Sequence, residues 1–303
     1  MSVVKKYLSL IKFSHTIFAM PFAMIGFFLG WVYNIKQLSG VANSMPESES
    51  MWILFLLVVL CMVFARSAAM AFNRYLDRHF DAQNNRTAIR EIPSGIIKAN
   101  HALLFTVIMS ALFVACTLLI NKLCFYLSFV ALFVVLFYSY TKRFTALCHL
   151  VLGLGLSLAP IGAFLAVTGV FHWLPLLFAV VVMFWVSGFD IIYAMQDETF
   201  DRSLQLHSIP VFLGKKNALR LSVLLHIVCG LLVLLAGWQA GFGVWYWIGA
   251  VLFCSMLFYQ HTLVKSDDLS KVNIAFMTAN GIASVVFAVF VISDIILHVN
   301  HLQ

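Results

Sequence analysis

Residues 51–81 read M-W-I-L-F-L-L-V-V-L-C-M-V-F-A-R-S-A-A-M-A-F-N-R-Y-L-D-R-H-F-D. The stretch opens with an apolar run of the length that crosses a bilayer, about 20 residues. It ends in Asn73, Asp77 and Asp81, which stand four residues apart. Residues four apart lie on one face of a helix. We therefore expect a membrane helix that ends in an amide and two carboxylates on one side.

The acidic face is unusual because carboxylates are scarce, with 12 Asp and Glu in 303 residues. Like charges at helical spacing repel each other unless a cation lies between them. Oxygen ligands without sulfur or imidazole favour Mg²⁺ over zinc. The stretch is consistent with a magnesium site, and a solvated acidic helix end explains it equally well.

The composition is that of a polytopic membrane protein. The chain is 63% hydrophobic, its mean hydropathy is +0.99 and only 10% of its residues are charged. Soluble domains carry about 25% charged residues. The net charge of +7 is then a topology signal, since basic residues collect in cytoplasmic loops. We expect membrane lipid around the chain and no nucleic-acid partner.

Nine apolar stretches are long enough to span a bilayer, at about residues 13–34, 51–72, 101–120, 123–141, 147–169, 173–195, 219–238, 244–263 and 274–297. With a cytoplasmic N-terminus, the N-terminal segment and the loops after spans 2, 4, 6 and 8 lie inside. All 19 Lys and Arg except Lys36 and Lys122 fall in or beside these segments. This bias predicts an all-α, nine-helix protein with a cytoplasmic N-terminus and an external C-terminus.

A second acidic group closes span 6. Asp190, Asp197 and Asp201 would lie within about 40° of one another on a continuous helix, with Tyr193 beside them. An ionisable residue such as Asp190 inside an apolar run indicates function, although an ion pair with a neighbouring helix also explains it. Both acidic groups follow even-numbered spans, so they lie at the same membrane surface. Two such faces can hold Mg²⁺ together with phosphate oxygens.

Basic residues accompany both groups. Arg66 precedes Asn73 by seven residues, which places it on the same face but deeper. Lys142 follows Tyr138 by four, and Arg86 and Arg90 follow the first motif. Acids for a metal and bases for an anion at the mouth of an apolar bundle predict a diphosphate site with a hydrocarbon tail in the membrane. Taken singly, Arg90, Arg143 and Arg202 are better explained as topology signals.

At these residues the sequence resembles the UbiA superfamily of intramembrane aromatic prenyltransferases, and most of all its 4-hydroxybenzoate polyprenyltransferase group. The resemblance covers nearly the whole chain, through the segments Phe13–Ala23, Arg66–Asp81, Pro93–Gly95, Tyr138–Arg143, Ala159–Ala163 and Asp190–Asp201. The N-x-x-x-D-x-x-x-D and later D-x-x-x-D motifs on a nine-span pattern are highly specific.

The resemblance implies one domain over residues 1–303, with nine helices around a central cavity in a bacterial cytoplasmic membrane and an active site that faces the cytoplasm. It also implies Mg²⁺, a polyprenyl diphosphate donor and an aromatic acceptor, as in quinone biosynthesis. Carried over by position, the metal–diphosphate residues are Asn73, Asp77, Asp81, Asp197 and Asp201. The diphosphate-binding residues are Arg86, Arg90, Lys142 and Tyr138, and Arg66 faces the acceptor. Asp77 and Asp197 are expected to be catalytic through the metal, and Asp190 is a candidate acceptor of the ring proton.

The loop after the first motif departs from the family pattern. Enzymes that use 4-hydroxybenzoate usually have N-R-P-L-P-S-G here, whereas this chain has I-R-E-I-P-S-G, with Ile89 and Glu91 at the changed positions. The acceptor therefore remains open among 4-hydroxybenzoate, dihydroxynaphthoate, a futalosine-type menaquinone precursor and haem. An ion-coupled transporter is the alternative from another class, and it would place the charges near the membrane midplane. A membrane scaffold would leave the paired acidic faces unexplained.

Overall fold

The computed structural model describes residues 3–12, 18–38 and 48–299. It is helical throughout this part of the chain, without strands. The α-helices are α1 (Val3–Leu10), α2 (Met20–Leu38), α3 (Ser48–Gln83), α4 (Ala99–Ile120), α5 (Lys122–Thr141), α6 (Cys148–Thr168), α7 (Trp173–Ala194), α8 (Glu198–Ser203), α9 (Ile209–Ala240), α10 (Val244–Leu263) and α11 (Asn280–Val299). A 3-10 turn (Met195–Asp197) joins α7 to α8, and a π-helical turn (Ile274–Ala279) leads into α11.

In the described residues, seven helical segments are long and apolar enough to cross a membrane. They are Ser50–Gln83, Ala99–Ile120, Lys122–Thr141, Cys148–Thr168, Trp173–Ser203, Ile209–Ala240 and Ile274–Leu297. The prediction of an all-helical membrane protein is confirmed, and the count of nine spans stays a prediction. The apolar part of α2 is shorter, Met20–Ile35, and part of the predicted span 13–34 lies outside the described residues. α10 has two Trp and a Tyr in its first turn and Gln260 and His261 in its last turn.

Single residues mark several helix boundaries. Asn121 separates α4 from α5: it has extended backbone angles, and its side-chain oxygen accepts a hydrogen bond from the Cys124 amide at 2.8 Å. This contact is a helix N-cap, which satisfies one of the free amides of the first turn. Gly214 has a φ of 74° and kinks α9, a backbone conformation that glycine adopts without strain. The spans predicted at 101–120 and 123–141 are thus separated by this one residue.

The core that carries the site lies among α2, α7, α10 and α11. Its fully buried rings include Phe22, Trp185, Phe253 and Phe287, which contact one another at centroid distances of 5.0–6.4 Å. Aromatic pairs at such distances add to the stabilisation from buried area. This packing fixes α7, which bears Asp190 and leads into the rest of the second acidic group.

Candidate active site

A polar cavity of about 840 Å³ opens where α3, the 84–98 loop, the α5–α6 connection, the α7–α8 connection and the π-helical turn meet. Ten of the residues predicted from the sequence line it: Asn73, Asp77, Asp81, Arg86, Arg90, Tyr138, Lys142, Asp190, Asp197 and Asp201. The two acidic groups, 120 residues apart in sequence, therefore face one space.

The first acidic group lies on the last turns of α3, which continues without a break from the apolar run to Gln83. The Asn73 amide donates a hydrogen bond to Asp77 Oδ2 at 3.0 Å. Arg143 Nη2 donates to Asp77 Oδ1 at 2.9 Å, and Arg90 Nη1 donates to Asp81 Oδ1 at 2.6 Å. Asn73 and Asp77 are thus neighbours, as expected for residues four apart on one helix.

The second acidic group does not lie on one continuous α-helix. α7 ends at Ala194, and the 3-10 turn precedes Asp201 on α8. The helical angle predicted for Asp190, Asp197 and Asp201 is therefore wrong in detail, because a 3-10 turn advances each residue further around the axis. All three side chains nevertheless line the cavity.

Bases hold both aspartates of the second motif. Arg86 forms an ion pair with Asp197, and Asn84 also donates to Asp197 Oδ1 at 3.1 Å. Lys142 Nζ lies 2.7 Å from Asp201 Oδ1, and Asp201 is 1% exposed. The ion pairs join the 84–98 loop to the α7–α8 connection and the end of α5 to α8, so they link the elements that form the cavity wall.

Arg86 stays charged at every accessible pH. Burial alone would lower its pKa, but its hydrogen bonds to Asp197 and to the Tyr193 hydroxyl, the latter at 2.9 Å, outweigh burial and raise the Arg86 pKa above its ordinary value. A raised pKa is the direction expected for a cation that a carboxylate stabilises. Arg86 can therefore serve as a permanent positive charge in the cavity.

Asp190 has a partner that the sequence did not indicate. His149 Nδ1 lies 2.7 Å from Asp190 Oδ2, and His149 Nε2 accepts a hydrogen bond from the Ile209 amide at 3.4 Å. Since Nε2 is an acceptor, the proton of a neutral His149 sits on Nδ1 and points to the carboxylate. The contact with His149 holds the Asp190 side chain at the cavity wall.

Arg66 lies in a different space. It lines an apolar cavity of about 330 Å³ formed mainly by α3, α4, α5 and α6. Met70, Tyr138 and Leu152 line both cavities, so the two adjoin. Arg66 Nε is buried without a hydrogen-bond partner. Arg66 therefore does not line the cavity that Asn73 lines, and its deeper position in the membrane stays a prediction.

Several cavity residues escaped sequence reasoning. Arg143 looked like a topology residue, yet it bonds Asp77 and the Ser139 carbonyl, the latter at 2.7 Å. Its position next to Lys142, a predicted site residue, was the feature of the sequence that could have indicated its role. Arg74, Asn84 and Glu91 also line the cavity. Arg74 precedes Asp77 by three residues and Asp81 by seven on α3, so helical spacing was an available signal for it. Asn84 and Glu91 follow the end of α3, where helical spacing gives no signal. By contrast, Arg202 pairs with Glu198 on its own helix, at 2.6 Å, and is not part of the cavity.

The carboxylates fit a divalent cation that arrives with an anion. Among the described residues no three His, Cys, Asp or Glu side chains are grouped to ligate one metal ion, because bases hold the acids apart. Asp81 Oδ2 and Asp201 Oδ2, however, are buried without a hydrogen-bond partner. Carboxylate oxygens of this kind are what Mg²⁺ binds, usually together with phosphate oxygens.

Comparison with known proteins agrees with this geometry. The profile of the UbiA prenyltransferase family matches residues 38–282. A 4-hydroxybenzoate octaprenyltransferase of Paraburkholderia phymatum is 30% identical over 276 residues, covering 88% of this chain and 96% of the relative. One from Burkholderia cenocepacia is 32% identical over 242 residues, covering 80% of this chain and 84% of the relative.

A solved structure has the same fold. The apo structure of a UbiA homologue from Aeropyrum pernix K1 superposes with a TM-score of 0.74 at 27% identity, covering 94% of this chain and 98% of that one. A UbiA homologue from Archaeoglobus fulgidus, bound to GPP and Mg²⁺, superposes at 0.69 with 20% identity, covering 96% and 99%. The chain belongs to the UbiA prenyltransferase family and is an integral membrane prenyltransferase.

Proposed function

We propose that this enzyme transfers a polyprenyl group from an allylic polyprenyl diphosphate to a small aromatic acceptor, with release of diphosphate and with Mg²⁺ as cofactor. The observation that carries the proposal is the pair of adjoining cavities. One is polar and lined by both acidic motifs and their bases; the other is apolar and reached past Tyr138. A substrate with a charged head and a hydrocarbon chain needs both.

Residues of the polar cavity act on the leaving group. Asn73, Asp77, Asp81, Asp197 and Asp201 would hold Mg²⁺, which when bound neutralises charge that develops on the departing diphosphate. Arg86, Arg90 and Lys142 donate to the diphosphate oxygens, and Tyr138 positions the first prenyl carbons where the cavities meet. Fixed charges aimed at developing charge are the strongest electrostatic contribution to catalysis.

The acceptor ring would approach from the Arg66 side, where a guanidinium with an unpartnered donor can bind an anionic substituent. Asp190, positioned by its contact with His149, would take up the ring proton after the carbon–carbon bond forms. The names of the relatives make 4-hydroxybenzoate the first acceptor to test. Glu91 in the 84–98 loop keeps dihydroxynaphthoate, a futalosine-type precursor and haem as alternatives.

We also propose one domain of nine membrane helices, with α2 and α10 as spans in addition to the seven long apolar segments. The distribution of Lys and Arg supports a cytoplasmic N-terminus and a site that faces the cytoplasm. The relatives are bacterial, which supports the cytoplasmic membrane as its location. The acids at one end of the bundle argue against a transporter.

The test is a transfer assay with purified protein, Mg²⁺, a radiolabelled prenyl diphosphate and 4-hydroxybenzoate. Asp77→Asn and Asp197→Asn should each lower kcat/KM by about 10²–10³-fold, as loss of transition-state stabilisation does. Asp190→Asn should keep donor affinity and lose turnover. Asp267→Asn, at an exposed loop position, is the matched control. Full activity in both Asp77→Asn and Asp197→Asn would sink the assignment.

A further inference from the structure

The polar cavity is balanced in charge before any ligand enters. It is lined by six Asp and Glu and by six Lys and Arg. A bare anion would therefore meet no net positive field. A diphosphate accompanied by divalent cations, whose charges largely cancel, fits such a wall. The metal ions of such a ligand bind the acids and its phosphate oxygens bind the bases. A base that is not already in an ion pair is therefore the most available to the phosphate oxygens.

Four of the six bases are already paired. Arg86 holds Asp197, Arg90 holds Asp81, Lys142 holds Asp201 and Arg143 holds Asp77. Each of these can bind a substrate anion only by sharing or releasing its carboxylate. The other two are Lys12 and Arg74, and none of the ion pairs found within the described chain includes either. Lys12 is exposed, whereas Arg74 is buried.

Arg74 is also deeply buried. It is 5% exposed, and its Nε and Nη1 atoms are buried without a hydrogen-bond partner. A buried charged donor without a partner is unfavourable. Arg74 follows Asn73 in the sequence, and it lines the same cavity as both acidic motifs. It is thus a cationic donor set that faces the site and lacks an acceptor.

The neighbours of Arg74 leave room for a ligand. Asp81, Glu91 and Arg90 are the charged groups that act on it. Asp81 Oδ2 and Glu91 Oε2 are themselves buried without hydrogen-bond partners. The other Glu91 oxygen accepts from the Ser9 hydroxyl, and the other Asp81 oxygen accepts from Arg90. Three residues that line the cavity, Arg74, Asp81 and Glu91, thus have unused hydrogen-bonding capacity.

We propose that Arg74 binds the diphosphate of the prenyl donor and, as a buried base of the cavity, does so without breaking an ion pair. This inference rests on the proposed function. The same anion chemistry could come from the carboxylate of an aromatic acceptor. The diphosphate is assigned because Arg74 lines the polar cavity beside Asn73, whereas Arg66 occupies the apolar cavity across Tyr138.

The first experiment compares wild type, Arg74→Met, Arg74→Lys and Arg78→Met as full-length proteins. Arg78 is the control because it is on the same helix but bonds the Tyr75 carbonyl and lines neither cavity. The dissociation constants of inorganic pyrophosphate and of geranyl diphosphate are measured with Mg²⁺. Arg74→Met should weaken both by about 10- to 100-fold, the range for a charged hydrogen bond. Arg74→Lys should fall between, and Arg78→Met should match wild type.

Thermal unfolding without ligand separates binding from a structural role. Because Arg74 has no partner in the ligand-free protein, Arg74→Met should melt at or above the wild-type temperature. Arg90→Met, which removes the partner of buried Asp81, should melt lower. An Arg74→Met protein that melts well below wild type contradicts the proposal, since it would show that Arg74 stabilises the fold.

The acceptor arm measures KM for 4-hydroxybenzoate. An unchanged KM with weakened pyrophosphate binding supports the assignment to diphosphate. A raised acceptor KM with unchanged pyrophosphate and geranyl diphosphate affinity overturns it. If wild type itself neither binds geranyl diphosphate nor transfers a prenyl group, the proposed function fails; if wild type does both and Arg74→Met equals it, only the role of Arg74 fails.

Discussion

At the scale of single residues, the site is a set of paired charges. The Lys142–Asp201 pair illustrates how one charged residue can contribute both to the stability of the fold and to substrate binding. Asp201 is 1% exposed, and Lys142 Nζ lies 2.7 Å from its Oδ1 atom. A carboxylate buried this deeply requires a cation nearby. The same lysine is a proposed ligand of the diphosphate, so stability and binding depend on one side chain.

Lys142→Met should lower both stability and activity. Removing the base leaves a buried carboxylate without its cation, which costs about 1–3 kcal/mol or more. Adding Asp201→Asn to this variant should recover part of the melting temperature, because the uncompensated charge is gone, but should not recover prenyl transfer. The measurement is a double-mutant cycle in thermal unfolding beside the transfer assay. Additive losses of melting temperature would contradict the ion pair.

The acidic motifs could be recognised from the sequence because each belongs to one helix end and its spacing is helical. Asn73 bonds Asp77 as that spacing predicts. Partners across helices could not be recognised, since Arg143 and His149 meet the acids only through tertiary packing. A Lys or Arg that follows a predicted span is expected both from the positive-inside rule and from a binding site, so the sequence does not distinguish the two roles. Arg143 proved to be a site residue, while Arg202 pairs with Glu198 at the surface.

At the scale of elements, the π-helical turn Ile274–Ala279 forms the cavity wall opposite the first motif. Several of its residues line the polar cavity, among them Phe276, whose ring lies 4.3 Å from that of Tyr193. Tyr193 in turn receives a hydrogen bond from Arg86. The turn therefore supports a base of the site. π-helical turns recur at functional sites.

Asn280 fixes this turn. Its amide donates to the Ala275 carbonyl at 2.8 Å and to Gln260 at 3.0 Å, and its oxygen accepts from Trp185 at 2.8 Å. A polar side chain inside an apolar run was visible in the sequence, but the turn was not. The sequence predicted one uninterrupted span over 274–297, because a π-helical turn has no simple hydrophobic period.

Asn280→Ala should lower stability by about 1–3 kcal/mol for each buried group it leaves unpaired, such as the Trp185 ring N–H. The KM for the prenyl diphosphate should rise as Phe276 loosens against Tyr193. Asn217→Ala, at an exposed position of α9, is the matched control. Thermal unfolding and steady-state kinetics are the measurements. If Asn280→Ala kept the wild-type KM and melting temperature, the π-helical turn would not depend on the hydrogen bonds of Asn280.

At the scale of the whole molecule, close packing of helices brings the two motifs to one cavity. α2 packs against α6 at Gly26, where an added Cβ would lie 2.1 Å from the Pro160 carbonyl oxygen. Small residues allow membrane helices to approach closely. The sequence predicted the helical class and the membrane setting from hydropathy. It could not predict this contact, since hydropathy carries no information on which faces meet.

Gly26→Ala should destabilise the fold by about 1–3 kcal/mol or more, because its methyl group meets backbone that cannot rotate away. Gly162→Ala is the control on α6: an added Cβ there meets nothing within 4 Å, and alanine favours a helix by about 1 kcal/mol over glycine. Thermal unfolding in one detergent compares them. Equal melting temperatures for the two variants would disprove close α2–α6 packing at Gly26.

The most direct test of the central claim is the position of the metal in a crystal of the protein with Mn²⁺ and a non-hydrolysable geranyl diphosphate analogue. Anomalous scattering locates manganese without ambiguity. The account predicts Mn²⁺ between the Asp77–Asp81 and Asp197–Asp201 carboxylates, with the geranyl chain passing Tyr138 into the cavity lined by Arg66. Manganese bound elsewhere, or a geranyl chain outside that cavity, would contradict it.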